Sequence, residues 1–240
     1  MRRAALITGA SGGIGAALAR AFAPEFDLAL HYRSNRAAAQ ALKRELEGAG
    51  AHCALLKADL SRPQAPAALV RGCLRALGRL DVLLNNAGAN SGGADFRTMT
   101  AAQWDENLAL NARAPFFLAR EAFAAMKDGG RIVNISSVAA KFGGSARSLH
   151  YAAAKAAVEA MTLGLARQGA ERGILVNAIR PGVIDTPFHE KFRKNMSERV
   201  KLIPLGRAGK PEEVARLALF LAGKGGSFIT GQVLGVTGGE

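Results

Sequence analysis

The sequence predicts an α/β fold: a doubly wound, three-layer arrangement around a mainly parallel seven-stranded sheet. Three observations carry this expectation. Short apolar runs alternate with longer helical stretches along all 240 residues, and strand–helix–strand repetition builds a parallel sheet covered on both faces. The runs alternate only partly between apolar and polar, as strands buried on both faces do. A Gly-rich turn follows the first run and opens the first helix, where a backbone can receive a phosphate.

The elements follow in order. Strands are expected at Ala4–Thr8, Phe26–His31, Ala51–Lys57, Val82–Asn85, Arg131–Ile135, Leu175–Ile179 and Gln232–Val236. Helices are expected at about 13–23, 34–48, 63–78, 100–127, 148–171 and 211–222. Pro63 and Pro211 fall near helix starts, where proline is tolerated. Pro115 falls inside the fourth helix and predicts a kink or local break, since proline removes a helical N–H. No Pro/Ser linker divides the chain and no 20–50-residue repeat appears, so residues 1–240 read as one domain. The long irregular segment at about 183–203 is the expected substrate lid, because loops of that length in compact domains tend to be functional.

Composition bounds the function. Apolar residues make up 49% of the chain, which excludes disorder as its main state. Lys and Arg number 32 against 19 Asp and Glu, a formal charge of +13. Such a charge invites a nucleic-acid reading, but the excess is spread: 15 basic and 9 acidic groups lie in residues 1–120, and 17 and 10 in 121–240. No nucleic-acid partner is expected. Cys53 and Cys73 are too few for a zinc site or a disulfide framework, so buried thiols and no metal are expected. Met1-Arg2-Arg3 leads into only five residues before the Gly-rich turn, too short for a signal peptide. No apolar run reaches a membrane span. A cytoplasmic protein without membrane partners is the expectation.

The Gly-rich turn reads Thr8-Gly9-Ala10-Ser11-Gly12-Gly13-Ile14-Gly15. Its glycines let a pyrophosphate reach the backbone without Cβ clashes. A tight strand–helix connection is the plainer reading of such a turn taken alone. The second strand ends at Leu30-His31-Tyr32-Arg33-Ser34. A site for NAD places Asp or Glu near here to hold the ribose 2′-OH. Tyr32 stands at that position instead, followed by Arg33 and Ser34, and Arg33 can pair with a 2′-phosphate. NADP(H) is therefore preferred, with NAD(H) not excluded. Asp59 follows the third strand, placed either to hydrogen-bond an adenine ring or, with Ser61, to cap a helix.

Tyr151-Ala-Ala-Ala-Lys155 sets a phenol and an ammonium at i and i+4 on one helix face. A cation beside a phenol lowers its pKa toward the range useful for proton transfer. This pair follows a strand ending Asn134-Ile135-Ser136-Ser137, and ligands of open α/β sheets bind at such C-terminal strand ends.

Taken together, these residues resemble the short-chain dehydrogenase/reductase family over essentially the whole chain. The matching pieces are TGASGGIG at 8–15, DL at 59–60, NNAG at 85–88, Asn111 within NARAPF and SSV at 136–138. YAAAK at 151–155, PG at 181–182 with Thr186, and ITGQ at 229–232 complete the set. The resemblance implies a Rossmann-type oxidoreductase passing a hydride between a nicotinamide cofactor and a carbonyl or secondary alcohol. It implies a tetrad of Asn111, Ser137, Tyr151 and Lys155. Tyr151 would be the acid in reduction. Ser137 would hold the substrate oxygen. Lys155 would bond the nicotinamide ribose and lower the Tyr151 pKa. Asn111 would position a water that relays protons through Lys155. The cofactor would contact Gly9, Ser11, Gly12, Gly13, Ile14 and Gly15 in the turn, Tyr32, Arg33 and Ser34 at its phosphate, and Asp59 and Leu60 at the adenine. Asn86, Ala87 and Gly88 would form its floor. Pro181, Gly182, Ile184 and Thr186 would orient the nicotinamide.

Some features depart from the family pattern. Gly12 takes a place where Arg or Lys often stands in NADP(H)-preferring members. Ser137 lies 14 residues before Tyr151, against a usual spacing of about 13, which leaves Ser136 as the alternative. The substrate is left open: NADPH-dependent ketone reduction including 3-oxoacyl groups, NAD(P)+-dependent sugar or alcohol oxidation, or a catalytically silent cofactor-sensing or nucleic-acid-binding member. The lid carries Lys191, Arg193, Lys194, Arg199 and Lys201 against Glu190 and Glu198, with Phe188, His189, Phe192 and Met196 between them. It reads either as a basic surface for an anionic substrate such as an acyl carrier protein, or as an ordinary solvated helix. Arg172 is a second such contact by resemblance to 3-oxoacyl-carrier reductases, although the basic cluster expected before Gly130 is missing. Family members pair through helices equivalent to 100–127 and 148–171, implying a homodimer or homotetramer.

Overall fold

The computed structural model describes residues 2–90, 95–186 and 196–240. Seven strands form one parallel sheet: β1 (Arg3–Ile7), β2 (Phe26–Tyr32), β3 (Cys53–Lys57), β4 (Val82–Asn85), β5 (Arg131–Ile135), β6 (Leu175–Pro181) and β7 (Val233–Val236). Their spatial order is β3-β2-β1-β4-β5-β6-β7, every pair parallel. The chain walks outward from β1 to β3, then returns to place β4 on the other side of β1. The β1/β4 boundary is thus the topological switch point, where a crevice opens beyond the strand ends.

Strand side chains alternate between two cores. Ala5 and Ile7 of β1, Val82 and Leu84 of β4, and Val133 and Ile135 of β5 face one cluster. Ala4 and Leu6, Leu83, and Ile132 face the other. Both faces are apolar, which explains the imperfect alternation in the sequence. The helices are α1 (Gly13–Phe22), α2 (Arg36–Gly48), α3 (Ala65–Leu77), α4 (Ala101–Leu108), α5 (Ala114–Ala125), α6 (Ala139–Phe142), α7 (Leu149–Gly169), α8 (Met196–Lys201) and α9 (Pro211–Ala222). Residues of α1, α2 and α9 complete the first core, and residues of α3, α5 and α7 the second.

Several element boundaries differ from expectation for local reasons. The helix expected from position 63 starts at Ala65, with Pro66 in its first turn and Pro63 in the preceding turn. The stretch expected as one helix over 100–127 is interrupted by a π segment, Ala109–Arg113, between α4 and α5. Pro115 has no N–H to close an α-turn onto the Asn111 carbonyl, so the chain widens before the helix resumes. Thr100 starts α4 with a reciprocal capping box: its hydroxyl accepts from Gln103 N–H, and the Gln103 side chain accepts from Thr100 N–H. The short α6 was not expected from the sequence. Between β6 and α9, only 183–186 and 196–203 of the expected lid lie within the described residues.

Candidate active site

The C-terminal ends of β1, β4, β5 and β6 open onto one cavity of about 850 Å³. Its wall includes Gly9, Ser11, Gly12, Gly13 and Ile14 after β1, and Asn86, Ala87 and Gly88 after β4. Ser137 follows β5, Tyr151 and Lys155 come from α7, and Pro181, Gly182, Ile184 and Thr186 follow from the end of β6. Fifteen residues proposed from five separate stretches of sequence therefore face one space.

The Gly-rich turn is built for close approach. A Cβ on Gly15 would lie 2.0 Å from the Gly9 carbonyl oxygen, so only glycine lets α1 start this close to β1. A Cβ on Gly12 would meet nothing within 4 Å. Gly12 is the N-cap of α1 and offers no side-chain cap, so the positive end of the helix faces the cavity. Neighbouring groups hold the turn. Thr8 Oγ1 accepts from Asn86 N–H at 2.8 Å and Ala87 N–H at 2.9 Å, while Asn86 Nδ2 donates to Thr8 O at 2.8 Å. His31 is buried behind it: its Nδ1 accepts from Gly9 N–H at 3.0 Å, and its Nε2 lies 3.2 Å from Ala58 O. Gly9 N–H can only donate, so the ring is neutral with its proton on Nε2. Burial holds its pKa below the ordinary histidine value. An open anion pocket at an uncapped helix start, in a cavity of this size, fits a dinucleotide.

The adenosine end departs from expectation. Tyr32 is buried at the end of β2 and does not line the cavity, whereas Arg33 and Ser34 are exposed beside it. Arg33 forms none of the ion pairs found among the described residues and lies in the field of Asp59. Asp59 makes a local turn: its Oδ1 accepts from Ser61 Oγ at 2.7 Å and Ser61 N–H at 3.1 Å, holding its carboxyl below the usual range. Neither Asp59 nor Ser61 caps a helix, since α3 starts after Gln64. Leu60 is core.

At the other end Tyr151 and Ser137 are hydrogen-bonded through their side chains. Ser136 points away and binds Glu159, so the two adjacent serines face opposite sides. Burial pushes the Tyr151 phenol up to about 12, and the Ser137 bond opposes this. Lys155 is buried, its Nζ donating to Ile135 O at 2.8 Å and lying 5.6 Å from the Tyr151 ring centre. Desolvation lowers its pKa to about 8. Burial is the largest influence on Tyr151, and the phenol stands protonated.

Asn111 sits in the π segment directly behind Gly88. A Cβ on Gly88 would lie 2.8 Å from Asn111 Oδ1 and 3.3 Å from Lys155 Nζ. The Asn111 amide is already engaged, donating to Ala89 O and Asn107 O and accepting from Ala89 N–H. Its side chain thus braces the loop after β4 instead of reaching into the cavity.

Several of the charged groups expected at a partner surface are paired within the chain. Arg172, expected at a carrier contact, donates to Phe123 O and Met126 O and pairs with Asp128, closing the end of α5. In the segment expected as a lid, Arg199 pairs with Glu240 and Lys201 with Glu198. Phe188, His189, Glu190, Lys191, Phe192, Arg193 and Lys194 lie outside the described residues. Among the described residues no cluster of His, Cys, Asp and Glu could hold a metal, and no helix is long and apolar enough to cross a membrane.

A doubly wound sheet with an anion-binding turn at its switch point and a Ser–Tyr–Lys group on the same cavity defines a nucleotide-dependent oxidoreductase. Comparison with known proteins agrees. Residues 9–240 match the family model described as enoyl-(acyl carrier protein) reductase. The acetoacetyl-CoA reductase of Rhizobium meliloti strain 1021 is 40% identical over 248 residues, covering 100% of this chain and 99% of its own. The 3-oxoacyl-acyl-carrier-protein reductase of Thermotoga maritima is 37% identical over 237 residues, covering 98% and 96%. A blue fluorescent protein from a metagenomic library, solved in complex with NADPH, superposes with a TM-score of 0.94 at 38% identity, covering 99% and 97%. The chain belongs to the short-chain dehydrogenase/reductase family of oxidoreductases.

Three residues that the site uses carry no role in the sequence-based expectations. His31 and Thr8 hold the turn, and Glu159 joins three elements behind Tyr151. A histidine at the strand end facing the Gly-rich turn, and a glutamate one helical turn beyond Lys155, were the available signals.

Proposed function

We propose that this enzyme reduces the ketone of a 3-oxoacyl thioester with NADPH. One observation carries the chemistry: the Ser137–Tyr151 pair and Lys155 share a cavity with the uncapped N-terminus of α1. NADPH bound there supplies the hydride. Ser137 and Tyr151 would bind the ketone oxygen together. Tyr151, a protonated phenol, would donate its proton as the oxygen gains negative charge. Lys155 would anchor the ribose and carry charge beside the phenol. Arg33 and Ser34, with no carboxylate where Tyr32 stands, favour a 2′-phosphate over a free 2′-OH. The thioester class is supported by the relatives named for acetoacetyl-CoA and 3-oxoacyl carriers.

The test is an assay with acetoacetyl-CoA and a carrier-bound 3-oxoacyl substrate, each with NADPH and NADH. NADPH-dependent reduction lost in Tyr151→Phe, with cofactor binding retained, supports the reading. Turnover unchanged in Tyr151→Phe overturns the mechanism. Arg33→Ala should weaken NADPH and spare NADH; equal effects on both would sink the cofactor assignment. If an acidic carrier protein is the partner, its rate should fall with added salt while the CoA rate holds.

We also propose a homo-oligomer working in the cytoplasm. Trp104, Phe116, Leu149 and Leu163 are exposed apolar side chains on α4, α5 and α7, the helices through which pairing is expected. Light scattering on the purified chain checks this, and a monomer at micromolar concentration would refute it.

A further inference from the structure

Behind the catalytic face, Glu159 ties together the three segments that carry the reacting groups. It lies on α7, one turn beyond Lys155 and two beyond Tyr151. Its Oε1 accepts from Ser136 Oγ at 2.7 Å and from Arg180 Nε at 2.9 Å, and its Oε2 accepts from Arg180 Nη2 at 2.6 Å. Ser136 immediately precedes Ser137 after β5, and Arg180 lies within β6, just before Pro181 and Gly182. The side chains are 14% exposed for Glu159 and 23% for Arg180. Two parallel N–H···O bonds in that setting fix geometry more tightly than a solvent-exposed pair does.

The main chain continues the same connection. Ser136 N–H donates to Ile179 O at 2.7 Å and Val138 N–H to Pro181 O at 3.0 Å, on either side of Ser137. The Ser136 hydroxyl also lies 3.4 Å from Lys155 O. The backbone bonds set β5 against β6 and Lys155 Nζ ties α7 to Ile135 O, while among the described residues the Glu159 carboxylate reaches both strand ends from the helix bearing Tyr151. The distance between Ser137 and Tyr151, which come from different elements, is therefore set in part by it.

We propose that Glu159, clamped by Ser136 and Arg180, is a positioning residue that holds the Ser137–Tyr151 pair at its reactive spacing. This rests on the proposed role of Tyr151 as proton donor. Hydrogen-bond catalysis is steep in distance: a displacement of about 1 Å costs up to about 100-fold in rate. Loosening the clamp should act on kcat far more than on KM or on NADPH affinity, since the Glu159 and Arg180 side chains that form its ion pair do not line the cavity.

The experiment compares Glu159→Gln, Ser136→Ala, Ser136→Thr and Tyr151→Phe as full-length enzymes, with NADPH and acetoacetyl-CoA. Glu159→Gln presents an amide N–H to the Arg180 donors, and we expect kcat to fall about tenfold or more, with KM and NADPH Kd within about twofold. Ser136→Ala removes one tether and leaves the ion pair, with a smaller kcat loss in the same direction. Ser136→Thr, which keeps the hydroxyl, should restore most of that loss. Wild-type kcat in both Glu159→Gln and Ser136→Ala overturns the proposal. Equal losses in Ser136→Thr and Ser136→Ala do the same, because the hydroxyl would then not be the cause. Should Glu159→Gln fail to fold, the two Ser136 variants decide alone. A fully active Tyr151→Phe would instead remove the underlying mechanism, a result distinct from a dead Tyr151→Phe beside unaffected Glu159 and Ser136 variants.

Discussion

At the scale of single residues, Lys155 shows how a site opposes stability. Its pKa drops from 10.5 to about 8 because the fold desolvates its charge. Below pH 8 both folded and unfolded chains carry the proton, and the penalty is full, about 3 kcal/mol before its hydrogen bond to Ile135 O is counted. From pH 8 to 10.5 the unfolded chain binds a proton that the folded chain has lost, so stability rises with pH and the penalty fades. Lys155→Met should therefore raise the melting temperature at pH 7, by an amount that shrinks toward pH 10; calorimetry of the cofactor-free protein checks this. The same group should set an alkaline limb. With Lys155 active in its charged form, kcat/KM for reduction should decline as pH rises through about 8, because that ratio reports the free enzyme. A pH profile flat from 7 to 10 would contradict it.

At the scale of elements, the β1–α1 turn separates glycines that serve the fold from one that serves the ligand. Gly15→Ala drives a Cβ into the Gly9 carbonyl, and the expected cost is more than about 3 kcal/mol with loss of NADPH binding. Gly12→Ala points into open space, and its φ of 176° is extended backbone that any residue adopts. Its stability should stay within about 1 kcal/mol, while the added methyl crowds the phosphate and weakens NADPH. Thermal melts beside fluorescence titrations would show whether the two effects separate this way. The same scale explains where the sequence was legible. The Gly-rich pattern, Tyr151-x-x-x-Lys155 and the strand ends could be read because each is local. The π segment was half legible: Pro115 marked the break, but not that the helix would widen and resume.

At the scale of the whole molecule, the two cysteines report on the integrity of both cores. Cys53 belongs to one apolar cluster and Cys73 to the other. Burial raises their thiol pKa values to about 11 and about 12, so almost no thiolate exists at neutral pH. Native enzyme should react with neither thiol under a chromogenic disulfide reagent at pH 7.5, and both should become reactive together on unfolding in urea. Rapid labelling of one thiol in native enzyme would mean that its core opens locally. The formal +13 also reads differently at this scale. Arg20, Arg79, Arg97, Arg180 and Arg207 are each held in a short ion pair with a carboxylate. These pairs are neutral, so the excess of 13 is carried by the other basic residues, which the sequence spreads over both halves of the chain.

The sequence by itself determined the doubly wound class, the strand inventory and fifteen of the residues that line the cavity, because hydrophobic periodicity and glycine placement act within short windows of chain. Tertiary structure alone decided what depends on neighbours from distant segments. It turned Ser137 to Tyr151 and Ser136 to Glu159, buried Tyr32, closed Arg172 onto the end of α5, and buried Tyr151 so that desolvation raises its pKa. Burial and hydrogen-bond partnership depend on which elements pack together, and no local pattern records that.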